Sequence, residues 1–204
     1  LGGFALCINN EVKVYAIADG TDLTINVRVH TLDTSMLPDP VRHCQMSVDG
    51  TFVIVVTESD KIYLRQNIAK HNVNEFGIED PLPLPLIPED WSGANAVWTR
   101  LAGAMVLCND QYMTLAIGCR ADVQGQTFGA IAIYRRMEFG TQIFYDTPHP
   151  YVPYQTIASP IAPNNQSNQF GQAFHMSYDG KYLMTKDLLA SYGTQPAVGM
   201  YATY

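Results

Sequence analysis

The chain has 204 residues, 47% of them hydrophobic, which is enough to bury a core, and a formal charge of −7 from 12 basic and 19 acidic side chains. No basic cluster exceeds the pair Arg135-Arg136, so nucleic-acid binding loses its electrostatic footing. No run approaches the roughly 18 apolar residues of a membrane-spanning helix, and the apolar start, Leu1 to Ile8, is too short for a signal peptide. The chain opens on Leu1 instead of Met, which is read as a processed or partial piece.

Taken in order, the elements repeat one plan: two alternating runs joined by a turn of Asn or Asp, followed by a third run. Phe4 to Ile8, Asn9-Asn10 and Glu11 to Ile17 make the first copy, closed by Leu23 to Val29. Val41 to Ser47, Asp49-Gly50 and Thr51 to Thr57 make the second, with Lys61 to Arg65 as third strand. Ala104 to Cys108, Asn109-Asp110 and Gln111 to Ile117 follow, closed by Gly129 to Arg135. Phe170 to Ser177, Asp179-Gly180 and Lys181 to Thr185 complete the set with Ala197 to Tyr204. Asp-Gly between alternating runs predicts a two-residue hairpin turn, because these residues tolerate positive φ. The four units cover approximately 1–32, 41–79, 96–147 and 170–204 of a single domain, 1–204, and Asn74 to Ile78 and Thr141 to Tyr145 are candidate fourth strands. Helical periodicity is confined to Ala94 to Leu101 and Lys186 to Tyr192.

Between units lie proline-bearing segments, 33–40, 80–88 and 148–163, read as connections because proline cannot donate to a strand ladder. The apolar run Phe52 to Val56 predicts a strand covered on both faces, and the small residues of Thr114 to Gly118 and Gly129 to Ile133 predict close sheet-to-sheet approach. The units must therefore stack on each other.

Motifs for catalysis are missing. There is no Gly-x-Ser-x-Gly elbow, His-Glu-x-x-His site or glycine-rich phosphate loop, and the histidines are scattered, with His175 read as a structural, hydrogen-bonded residue. Glu79, Asp80, Glu89 and Asp90 flank a proline run instead of sitting on strand ends, which favours a solvated loop over a glycosidase pair. Cys7, Cys44, Cys108 and Cys119 contain no C-x-x-C pair and read as buried thiols. No catalytic residue, cofactor or metal ligand is expected.

Two connections are the candidate sites. Pro81 to Pro88 should be extended and stiff, and its Leu82, Leu84 and Leu86 either pack on the protein's own sheets or dock on a neighbouring subunit. Pro148 to Tyr154 sets Tyr151 and Tyr154 on a rigid backbone, a composition suited to protein or glycan contact.

Phe170-Gly171, Ser177-x-Asp179-Gly180 and Gly199-x-Tyr201 resemble the FG-GAP type of β-propeller repeat, and the unit around Asp49-Gly50 resembles a WD-like or TolB-like blade. The resemblance implies an all-β array of about four antiparallel propeller-like blades. No fourth strand is evident for the first or last unit, which favours an incomplete ring whose open edges are paired by another segment or subunit over a closed four-bladed one. A β-sandwich is the alternative. Calcium-binding FG-GAP blades carry an Asp-rich loop after the second strand, and the stretch that the resemblance implies for that loop, Gly118 to Gly125, holds one Asp, so no calcium is implied. A sialidase box fails on spacing at Ser47-Val-Asp-Gly-Thr51. A weaker resemblance, carried by divergent blades with Asn-, Gln- and Tyr-rich loops, is to propeller portions of virion proteins such as phage tail nozzles. It implies a structural, non-enzymatic module in a virion or extracellular setting, binding other protein subunits or the rest of a longer polypeptide. The other reading is a glycan-binding or glycan-cleaving propeller.

Overall fold

A computed structural model of the chain describes residues 3–18, 26–35, 37–47, 52–66, 81–92, 95–107, 114–136, 151–158, 170–177, 179–186, 191–192, 195–196 and 199–203. The chain is all-β across these residues, apart from one four-residue helix, α1 (Glu89–Ser92). Among the described residues no helix is long and apolar enough to cross a membrane. The strands divide between two compact units, Leu1–Leu82 and Pro83–Tyr204.

The first unit holds two antiparallel sheets. One is a meander of β1 (Gly3–Ile8), β2 (Glu11–Ala18) and β3 (Asn26–Leu32), the other of β4 (Val41–Met46), β5 (Phe52–Thr57) and β6 (Ile62–Gln66). Asn9 and Asn10 take φ of 51° and 68°, the left-handed pair that a two-residue hairpin needs, so Ile8 and Glu11 face each other across a tight turn. Alternation then sorts the side chains by face. Val12, Val14 and Leu32 of the first sheet meet Val41, Cys44, Val53 and Val55 of the second, with Ala5 and Cys7 at the margin. The Cys7 thiol donates to the Val41 carbonyl at 3.4 Å, tying β1 to β4. Val53, Ile54, Val55 and Val56 are all fully buried, so β5 is covered on both faces as its sequence requires.

The second unit holds a four-stranded and a three-stranded sheet. The larger runs β7 (Val97–Leu107), β8 (Thr114–Val123), β9 (Gln126–Arg136) and β10 (Tyr151–Ala158) in meander order. The smaller pairs β11 (Ala173–Met176) with β12 (Tyr182–Lys186) and β12 with β15 (Gly199–Thr203), while β13 (Ser191–Tyr192) and β14 (Gln195–Pro196) form a separate ribbon. Among the described residues every sheet is antiparallel and open. Ala116, Ile131 and Ile133 on one face of the large sheet pack against Phe170, Phe174 and Leu183 of the small one.

The joint between these two sheets is held at backbone distance. A Cβ on Gly129 would stand 2.0 Å from the Phe170 carbonyl oxygen, and one on Gly171, at φ +73°, would stand 2.4 Å from that of Ala130. Only glycine lets the Phe170-Gly171 step sit on the β9 backbone. The Phe-Gly pair thus acts as the contact between neighbouring sheets.

Several expectations need correction. Gly118 to Gly125 is no loop: β8 runs through to Val123, and Gln124 and Gly125, at φ of 55° and 81°, make the two-residue turn into β9. The helix expected from Ala94 to Leu101 is not formed over its described part, Asn95 to Leu101, because Val97, Trp98 and Thr99 are β-forming residues taken up by the ladder to β8. The 148–163 connection contains β10, the fourth strand of its sheet. Its Pro153 is tolerated because β10 is an edge and the register shifts between Pro153 and Gln155. The turn at Asp179-Gly180 is wider than two residues: Gly180 N–H donates to the Ser177 carbonyl at 2.9 Å, and Ser177 N–H donates to the Tyr182 carbonyl at 2.8 Å. Ser177 Oγ donates to Asp179 Oδ1 at 2.6 Å and accepts the Tyr182 amide at 2.9 Å, locking the loop. The Ser177 hydrogen bond, followed by that of the Lys181 amide, holds the Asp179 carboxyl below its ordinary range. The proposed turns Asp49-Gly50 and Asn109-Asp110, and the candidate fourth strands 74–78 and 141–145, lie outside the described residues.

Candidate functional site

In the proline run, residues 81, 83, 85 and 88 have no N–H, so the segment cannot join a ladder, yet every carbonyl still needs a donor when it is covered. The four-stranded sheet supplies those donors from three strands. Tyr134 of β9 donates its hydroxyl to the Pro83 carbonyl at 2.7 Å, and Trp98 of β7 donates Nε1–H to that of Pro85 at 3.1 Å. Thr156 of β10 donates Oγ1–H to that of Leu86 at 2.6 Å. Tyr134, Trp98 and Thr156 lie at ladder positions that share one face: Leu115 pairs with Tyr134, Ala121 with both Trp98 and Phe128, and Ala132 with Thr156. Burial, with Cys119 nearby, pushes the Tyr134 hydroxyl far above its ordinary range, so it remains a donor.

The strap ends in α1, where the Trp91 amide donates to the Pro88 carbonyl at 2.9 Å. Trp91 is buried against Trp98 and Phe128, with ring centroids 6.0 and 6.1 Å apart in tilted pairs. Residues 83–92 are therefore fastened to the sheet by three side-chain hydrogen bonds and an aromatic cluster.

Burial along the run has a period of three. Leu82 and Pro85 are buried and Pro88 is half-buried, as expected for an extended polyproline helix with about three residues per turn. Leu84 and Leu86 fall between, 66% and 49% exposed, with Ile87 at 37%. The three leucines expected to act together are thus split. Leu82 belongs to the first unit, where its amide donates to the Ile62 carbonyl at 2.8 Å, and it is unavailable for docking.

The tyrosines are split as well. Tyr151 opens β10 and is 1% exposed, so it is core and not display; Tyr154 is 50% exposed at the register shift. The Arg135 guanidinium lies over the Tyr154 ring, 3.7 Å from its centroid, which orients the ring at the surface. The sequence reading missed Trp98, Tyr134 and Thr156 as anchors. Their signal was weak, since each is an ordinary strand residue until something lies across the sheet.

Little of the chemistry-bearing set converges. Among the described residues no three His, Cys, Asp or Glu side chains form a group that could hold a metal. Glu89 and Asp90 are exposed in the first turn of α1, while Glu79 and Asp80 lie outside the described residues. His175 is exposed on β11 opposite Met184, contrary to the structural role expected for it. His43 is held below its ordinary value by burial and by Arg42. Burial, with Cys7 nearby, pushes the Cys44 thiol up to about 12, and burial does the same to Cys119, so neither is a ready nucleophile. A scan against family models and a search of curated proteins both return no match for the chain.

Proposed function

We propose that the chain is a non-enzymatic interaction module whose proline strap presents Leu84 and Leu86, with Tyr154 from β10, to another protein chain in a larger assembly. The observation that carries this reading is the fastening of the strap by Tyr134, Trp98 and Thr156 while two large aliphatic side chains point away from the sheet. A pre-ordered backbone loses little entropy when a partner covers such side chains, so their burial goes mostly into affinity. We read the architecture as propeller-like blades. Each sheet is a meander, and neighbouring sheets meet through their first strands, β1 against β4 and β7 against β11, as blades do where their inner strands converge. A place in a virion is the assembly that the resemblance favours.

Replacing Leu84 and Leu86 together with Ser tests the reading. The expected result is weakened assembly with its partner chain and an unchanged circular dichroism spectrum. Full assembly of the double variant, or sugar binding or hydrolysis in a glycan screen of the parent, would refute it.

A further inference from the structure

We propose that β1 is a strand-pairing edge for a second copy of this chain, with two β1 strands running antiparallel about a two-fold axis at Leu6. Two three-stranded sheets then become one of six strands.

The first observation is how differently the edges are treated. A bare edge strand invites pairing, and proteins blunt it with proline, charge or a bulge. In the four-stranded sheet, β10 carries Pro153 and a register shift, and β7 shifts register twice. In the second sheet β4 has Arg42, His43 and a register shift, and β6 has Arg65. Arg28 and His30 lie in β3, and His175 in β11. The edge β1, Gly-Phe-Ala-Leu-Cys-Ile, has no charge, no proline and a continuous register from Gly3 to Ile8. Of the other uncharged edges among the described residues, β10 is blunted by its proline, β13 and β14 are two residues long, and β15, Gly199 to Thr203, lacks a comparable aliphatic row.

The second observation is that the exposed side chains of β1 match themselves. Phe4, Leu6 and Ile8 are 45%, 43% and 42% exposed on one face, while Ala5 and Cys7 turn to the core on the other. The two-residue turn at Asn9-Asn10 makes Ile8 and Glu11 a hydrogen-bonded pair, so the backbone groups of Phe4, Leu6 and Ile8 face β2. Those of Ala5 and Cys7 face the edge that no described strand hydrogen-bonds. With the axis at Leu6, Ala5 of each copy exchanges both its backbone bonds with Cys7 of the other. Leu6 then meets Leu6, and Phe4 meets Ile8, at the close non-hydrogen-bonded positions where side chains touch best.

Charge favours a copy as the occupant. Two chains of −7 repel over most of their surfaces. Around β1 they do not, because Glu11 and Lys13, ladder neighbours of Ile8 and Leu6, pair at 3.6 Å and cancel. A six-residue strand pair buries less than the roughly 1,200 Å² at which stable interfaces begin, so the dimer is reversible and concentration-dependent.

Sedimentation equilibrium of the whole chain over a concentration series, with hydrogen exchange at the Ala5 and Cys7 amides, tests this. The expected result is a monomer–dimer equilibrium in which both amides exchange more slowly as concentration rises. Ala5→Pro removes an edge-facing N–H but leaves the β1–β2 ladder whole, and Leu6→Lys sets two like charges on the axis; each should weaken dimerisation roughly tenfold or more. The Leu84→Ser, Leu86→Ser variant should dimerise normally, which separates this surface from the strap. A monomer at every concentration, or a dimer with unaltered affinity in both variants, would overturn the proposal. Concentration-independent exchange at Ala5 and Cys7 in the parent would overturn it even if the variants misfold, and pairing only with a different protein would do so too.

Discussion

Gly129→Ala should be far more damaging than an alanine in a strand ordinarily is. The added Cβ would meet the Phe170 carbonyl oxygen at 2.0 Å, its carbon at 2.8 Å and its nitrogen at 2.9 Å, and all three are backbone atoms that no rotamer change can move. Carbon approaches a carbonyl oxygen to about 3.3 Å at best, so the joint between β9 and the Phe170-Gly171 step must open by about 1.3 Å. A gap of only about 0.5–1 Å already forfeits a quarter to a half of the dispersion contacts across it, so a quarter is a lower bound here. Ile131, Ile133, Phe170, Phe174 and Leu183 meet there, each contributing about 1.5–3 kcal/mol when fully buried, so the loss comes to about 3 kcal/mol. At roughly 2–4 °C per kcal/mol, calorimetry should find the transition 6–12 °C lower, with ~3 kcal/mol lost in urea titration. Gly125→Ala is the control. Gly125 has φ +81° but nothing within 4 Å of a built Cβ, so only backbone strain of about 1 kcal/mol applies. If the two variants lose equal stability, the Phe-Gly step does not rest on β9, and the account of sheet stacking is wrong.

Gly180→Val should cost roughly 1 kcal/mol or more, because Gly180 sits at φ +68° where a β-branched residue is strained; equal melting temperatures for variant and parent would remove the turn argument. Cys44 and Cys119 should resist thiol reagents at neutral pH until the chain unfolds, as read by peptide mapping after labelling. Both hold their protons to about 12, whereas an unfolded chain releases them from 9.0, so their contribution to stability should be constant below pH 9.0 and be lost as the pH rises toward 12. Urea midpoints that stay level across that window would contradict the burial of these thiols.

The strands were legible where turn chemistry and alternation agreed. Asn9-Asn10 set the first hairpin, and Phe52 to Val56 announced a doubly covered strand. Legibility failed where one residue type had two uses. Gly118 reads as a strand end, yet β8 passes straight through it, while the actual turn, Gln124-Gly125, relies on glutamine in the left-handed region and carries no Asn or Asp signal. Proline suggested that 148–163 was all connection, but an edge strand needs half its N–H groups only for solvent, and Pro153 uses that freedom. Small and apolar residues at helical spacing suggested a helix from Ala94, and the ladder from Val97 to β8 outweighed that local preference.

The candidate surface was legible in composition but not in geometry. Alternating Pro-Leu places Leu82, Leu84 and Leu86 two residues apart, which reads as one face if the segment is taken as a strand. A run that lacks N–H groups at every second residue cannot be a strand, and the extended helix it forms turns once in about three residues. Leu82 and Pro85 then share a side and are buried, and Leu84 and Leu86 are turned outward. Substituting all three leucines at once would therefore mix two effects. Leu82→Ser alone removes a buried side chain and should lower stability by about 2–4 kcal/mol, whereas the Leu84 and Leu86 changes should leave stability within about 0.5 kcal/mol. If instead all three single variants unfold alike, the strap is core throughout, and the surface assigned to partner binding does not exist.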